Sequence, residues 1–249
     1  MRNQKSGLTA MMFGLLVFAS AQSTAPSIVP ITKEPSHHMV LDNEYVRVFY
    51  VEVPPHAETQ YHQHDKDYIF VTLGDASVDS VRVGEKPVHL DLKDGDVQFS
   101  KAPFAHKAVN VSVKPFRNYT IEIKHQTKLE YVWPTTKSGL HLQPMSCEKF
   151  GDDGEFRCSG VVVSSDDLKC STFMGGLKTS FVMENDRPFL LLPNEHALLA
   201  SIAHDPSNKE QGTLIAKAGS VLWVNANDIH RHVHNSAYGN YAVCTFKKL

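Results

Sequence analysis

Cysteine is scarce and one-sided: the 249-residue chain has four, Cys147, Cys158, Cys170 and Cys244, all in its second half. None belongs to a C-x-x-C pair, which removes the common structural zinc and dithiol redox motifs. Tryptophan is rarer still, with two residues. An excess of one charge sign is also missing. The formal net charge is −2 with acidic and basic residues interspersed. No basic stripe marks a nucleic-acid partner, and no polybasic run marks an anionic membrane surface. No apolar run reaches the ~20 residues that a membrane-spanning helix needs. Between residues 39 and 124 no stretch has convincing helical periodicity. What remains is a chain of 42% hydrophobic residues, long enough for two ordinary domains with ample core.

The N-terminus reads as a secretory signal over residues 1–21. Arg2 and Lys5 form the positive region, Leu8 to Phe18 the apolar region, and Ala19-Ser20-Ala21 the small-residue cleavage site. No Cys follows, so a lipid anchor is not indicated. Residues 22–38, rich in Pro, Ser and Thr, read as a flexible leader. A secreted or periplasmic protein is expected, with no membrane span once the signal is removed. In an oxidising compartment four cysteines read as two disulfides, for which three connectivities exist. The simplest pairing is Cys147–Cys158 around the turn-rich GDDGE segment and Cys170–Cys244; four buried thiols are the alternative in a reducing compartment.

Residues 39–124 are dense in strand patterns. Val46 to Val53 is β-branched and aromatic and stops at Pro54-Pro55. The stretch QYHQHDKDYIFVTLG, from Gln60 to Gly74, places His62 and His64 two apart, so on a strand both imidazoles aim into the same space. A Gly-Asp turn, a strand, Pro103 and His106 follow some thirty residues downstream. Residues 125–146 read as a connector with Pro134, Gly139 and Pro144, and a second strand-rich region fills 147–249. Its end repeats part of the first half. Eleven positions after Gly95 stands His106, and eleven after Gly219 stands His230. The matching count for an H-x-H lands on Asp186, where none exists. His230, His232 and His234 alternate with Arg231 and Val233 and share a strand face, read either as a second metal or anion site or as a polar strand end.

The two histidine segments together resemble the paired motifs of the cupin superfamily. The first is H-x-H with an acidic residue soon after. On the second fall Gly95, Pro103, His106 and Asn110, with Ala105 near the place of a motif glycine. The motif's usual Glu is missing: Tyr68 and Ile69 stand four and five places after His64, and the nearby carboxylates are Asp65 and Asp67. The resemblance implies an all-β fold of two tandem antiparallel barrels of the double-stranded β-helix or jelly-roll type. The barrel at 39–124 would bind metal, and the degenerate one at 147–249 would not.

It further implies that His62, His64 and His106 converge on one divalent transition metal, with Asp67 as an added ligand if the strand bulges. Imidazole suits Fe, Zn, Mn, Cu or Ni, which the sequence does not separate. A three-histidine set is similar to that of thiol and diketone dioxygenases among the cupins. Tyr68 is a candidate to hydrogen-bond a bound ligand, and Gln60 shares the side of His62 and His64 by period two. His56, His89 and His125 read as surface residues. Three functions stay open: a metal-dependent oxygenase or related oxidoreductase on a small organic substrate, a non-catalytic small-molecule-binding or storage-type bicupin, and a metal-assisted isomerase or lyase. A pocket with Tyr68, Gln60 and Gln98 around the metal would favour catalysis, and a barrel filled by side chains would favour storage. The partners expected are a small-molecule ligand or substrate, with a homodimer as a further option.

If the signal reading is right, protein exported from its native host begins near Gln22. Intact-mass spectrometry decides this, and a retained Met1 on soluble exported protein would refute it.

Overall fold

The structure, a computed structural model, describes residues 25–125, 131–132, 146–150, 155–165, 167–175, 180–182, 187–194, 200–203, 214–216, 219–226, 232–235 and 239–247. The signal segment and its cleavage site, most of the connector, the GDDG of GDDGE, Asp186 and His230 lie outside the described residues. Among the described residues the helical content is one 3-10 turn, Ile31–Lys33. Everything else regular is strand, as the β-branched runs require.

In the first half ten strands follow in order: β1 Val29–Pro30, β2 His37–Asp42, β3 Val46–Val53, β4 His62–His64, β5 Tyr68–Leu73, β6 Ala76–Arg82, β7 Val88–Leu92, β8 Val97–Ser100, β9 Phe104–Asn110 and β10 Phe116–Ile123. They form two five-stranded sheets, ordered β1-β4-β9-β6-β7 and β2-β3-β10-β5-β8. Phe49, Val51, Val53, Val78, Leu92 and Phe116 from both sheets meet in one buried cluster, so the sheets close on each other as a barrel. The segment expected as leader differs from that expectation. Residues 29–38 carry β1, the 3-10 turn and the start of β2, and β1 pairs in parallel with β4, Val29 opposite His62. Prolines and polar residues suggested a linker, but Ile31 is buried and anchors the segment.

The second half repeats the topology. One sheet runs through 155–164, 168–175, 239–246, 189–193 and 222–224, in the same order as β2-β3-β10-β5-β8, with 131–132 and 146–150 added beside 155–164. The other runs 180–182, 232–235, 200–203, 214–216, matching β4-β9-β6-β7. The strand that takes the place of β4 in this order is Ser180–Val182, and the position of Asp186 lies outside the described residues. Gly95 and Gly219, equivalent in the repeat, both take left-handed backbone, at φ 81° and 82°.

Strand alternation divides the labour of the β3–β10–β5 sheet. Phe49, Val51 and Phe116 face the barrel interior, while Val48, Ile69, Val71, Tyr119 and Ile121 face outward. That outward face is buried too, against Leu168, Leu190, Leu192 and Phe246 of the second half. The Tyr119 hydroxyl donates to the Ser220 carbonyl at 2.9 Å, and Tyr45 packs on Trp223 and Phe246. Cys170 and Cys244 sit opposite each other on paired strands within this cluster and form a disulfide. Cys147 and Cys158 are likewise directly opposite in register.

The motif asparagine is structural. Asn110 is fully buried; its Nδ2 donates to the carbonyls of Val53, Pro54 and Lys114, and its Oδ1 accepts from Ser112. It thereby ties the end of β9 to the Pro54-Pro55 corner.

A Cβ at Gly95 would collide with the side-chain amide of Asn194, from the second half, and Gly95 sits at a φ that other residues adopt only under strain. Gly95→Ala should cost about 1–3 kcal/mol of stability. Urea unfolding checks it, and a midpoint within error of the parent would show that this approach is not tight.

Candidate metal centre

Strand β4 holds His62 and His64 on its inner face, both 1% exposed, with Gln63 pointing outward. Register supplies the third histidine. β9 pairs with β4 so that His106 stands directly opposite His62, and Phe104 opposite His64. Residues directly opposite on antiparallel strands share a face and lie about 5 Å apart at Cβ. The three imidazoles therefore each bring a ligand nitrogen into one group, all within 4.8 Å of one another.

The nitrogens are prepared unequally. His62 Nδ1 donates to the Gln60 carbonyl at 2.9 Å, which leaves the Nε2 of the neutral ring as a bare lone pair, and this buried atom has no hydrogen-bond partner. His106 Nδ1 lies 3.2 Å from Ser80 Oγ, and its Nε2 faces His64 Nε2 at 3.2 Å. His64 is oriented by stacking instead: it lies between Tyr68, at 4.2 Å between ring centroids, and Phe104, at 5.3 Å, while its Nδ1 has no partner. Burial pushes the His62 pKa down to about 4, helped by the charge of His37. Burial and neighbouring histidines push His64 and His106 far down as well. Three neutral, partly orphaned imidazoles suit a soft-to-borderline divalent cation that replaces the missing partners. On this donor chemistry the residues fit a metal.

A fourth histidine joins them. His37, at the start of β2, has its ring 4.5 Å from that of His62, and its Nδ1 donates to Glu34 Oε2 at 2.6 Å. Glu34 also accepts the Ser36 and Gln60 backbone N–H groups. Burial acts to raise the Glu34 pKa, yet the His37 contact and these donors hold it below the ordinary carboxylate value. Sequence reading passed over the pair because it lies in the Pro-rich segment taken for a leader. Its one trace was the Glu-x-x-His spacing.

The group lies on a cavity of about 360 Å³. Tyr68, Gln98, Ser100, Phe70 and Leu90 line its walls, with Arg82, Glu85 and Lys86 among its charged lining residues. Burial raises the Tyr68 pKa, opposed by Ser100 and Arg82, so the phenol stays protonated.

Two expected contributors fall elsewhere. Asp67 is outside the histidine group; its carboxylate accepts the Ala102 N–H at 2.8 Å and its carbonyl the Ile123 N–H, so it braces β10 and the β8–β9 link. Gln60 precedes β4, outside its alternation, with its side chain exposed and off the cavity, and only its backbone serves His62. His56 and His125 are at the surface, and His89 pairs there with Asp79 and Asp91. His232 and His234 occupy one strand, opposite Val182 and Ser180.

No protein-family model matches the sequence, and no curated protein matches it. Solved structures do. AerE from Microcystis aeruginosa is similar over 86% of this chain and 99% of its own, with TM-score 0.56 and 13% identity. A salicylate 1,2-dioxygenase from Pseudaminobacter salicylatoxidans is similar over 84% of this chain and 76% of its own, with TM-score 0.54 and 10% identity. A cupin domain from Bordetella pertussis is 29% identical over 36% of this chain and 92% of its own, with TM-score 0.34. At such identities the two longer matches are likenesses of fold.

Because the cluster is held neutral, metal-free protein should lose stability in acid. Unfolded histidines take up protons near pH 6.5, whereas folded His62 does so only near pH 4, so between those values the unfolded chain binds more protons. Stability should be level above pH 7.5 or so and fall as pH drops toward 4, by on the order of 3 kcal/mol from His62 alone. Denaturant midpoints of metal-free protein across that range test it. An unchanged slope in His62→Gln would assign the loss to other groups.

Proposed function

Because the chain has the cupin fold, we propose that it is an exported metal-dependent oxidoreductase of the oxygenase type, acting on a small organic substrate inside the first barrel. The observation that carries this reading is the bare, buried His62 Nε2 beside His64 and His106 on an open cavity. A barrel packed solid would have favoured a storage role, and this one is not packed solid.

His62, His64 and His106 would hold one divalent transition metal, which when bound supplies Lewis acidity and, if redox-active, a route for electrons. The chain's own residues do the rest. Gln60 and Ser80 hold the His62 and His106 rings, and Tyr68 and Phe104 hold His64 by stacking. Phe70, Val78, Leu90 and Leu92 keep water from the walls, which strengthens every polar contact inside. The protonated Tyr68 phenol and the Gln98 amide offer hydrogen bonds to a substrate at the wall. A variant of the structurally similar salicylate dioxygenase is known in complex with gentisate, and a small organic occupant is proposed here in the same sense. Export accords with the Cys170–Cys244 disulfide, and we assign a second disulfide to Cys147 and Cys158 from their register.

Metal content of purified protein, with oxygen uptake over a panel of small molecules, tests the proposal. His62→Ala, His64→Ala and His106→Ala should each lose most bound metal and all turnover, whereas Asp67→Ala should keep the metal. Parent protein free of transition metal, or undiminished metal in His106→Ala, would sink it.

A further inference from the structure

We propose that Arg82 makes one wall of the cavity a carboxylate-binding subsite, so that the occupant of the first barrel is a small organic acid. The choice of substrate class rests on the function proposed above; the anion site itself stands on geometry.

Register places Arg82 deliberately. Across β6 and β9 it stands directly opposite His106, which in turn stands directly opposite His62 across β9 and β4. Arg82, His106 and His62 thus form a row over three adjacent strands on the inner face, each step about one strand spacing of roughly 5 Å. An anion on the guanidinium would have its neighbouring atoms within reach of the histidine group.

The guanidinium is also held. Its central carbon lies 4.2 Å from the centroid of the Phe104 ring, whose partner across the strand pair is His64. Stacking occupies the flat face of the group and leaves its in-plane N–H fork for a planar, two-oxygen acceptor. That fork has no ion-pair partner among the described residues. Asp79, on the same strand, pairs with His89; Glu85, the one acid among the described lining residues, sits exposed in the turn beyond Arg82, where its N–H donates to the Arg82 carbonyl. Lys86 adds a second positive group to the lining. A half-buried cation without a carboxylate, set against apolar walls of Phe70, Val78, Leu90 and Leu92, is what an anionic ligand with a hydrophobic body completes.

The test is titration of the full-length protein as purified with benzoate and butanoate against benzamide and butanamide, read by calorimetry and by melting temperature. The acids should bind at least about tenfold more tightly than their amides, the scale of a charged hydrogen-bonded pair. Arg82→Gln should erase that preference with metal content and folding unchanged, and Arg82→Lys should restore part of it by keeping the charge without the fork. Equal affinity for acids and amides, no binding of either acid, or a preference that survives in Arg82→Gln overturns the subsite. Arg82-dependent acid binding by parent protein that holds no metal keeps the subsite and overturns the metal reading instead.

Discussion

The structure depends on one sheet being buried on both faces. In β3, β10 and β5 the apolar residues alternate between two buried clusters: one set enters the barrel, the other enters the seam with the second half. Each fully buried Leu, Ile, Val or Phe in such a position is worth ~1.5–3 kcal/mol relative to exposure. The seam therefore lends rigidity to the sheet that backs the cavity, and the first barrel can leave its interior partly empty. Tyr119, Val48 and Ile121 hold the outer face, so Asn118 and Thr120 on the same strand are free to be polar and to line the cavity.

On the opposite sheet the same period-two rule builds the site. A histidine group needs no long-range device when β4, β9 and β6 are paired in register; the ladder delivers His62, His106 and Arg82 in a line. What the ladder cannot supply is orientation. That comes from the Gln60 carbonyl, from Ser80 and from the aromatic faces of Tyr68 and Phe104, three different means for three rings. Among the described residues Glu34 adds a buried carboxylate beside the group, spent on His37 and two backbone donors.

Much of this was legible beforehand. The H-x-H spacing and the Gly95-to-Asn110 segment identify the histidines because strand geometry converts sequence separation directly into a shared face. The second barrel could be read from the Gly219 repeat, since a left-handed turn demands glycine at the equivalent place in both halves. Other features escaped for physical reasons. Glu34 and His37 are joined to the site through the parallel β1–β4 pairing, a contact that no local pattern announces. Asp67 looked like a ligand by proximity in sequence, but its carboxylate meets the Ala102 N–H instead. Gln60 failed because alternation begins only where the strand does.

The pairing of like topology with unlike ligand positions also bears on how such a chain diverges. Among the described residues the candidate ligand group lies in the first half, and the strand at 180–182 takes no part in it. Its remaining obligation, as the seam shows, is to present Leu190, Leu192, Cys244 and Phe246 to its neighbour. Inheritance should then act on the two halves at different tempos. The strand at 180–182 is at liberty to drift, while its sister β4 is held residue by residue, and the surfaces the halves share must change in step.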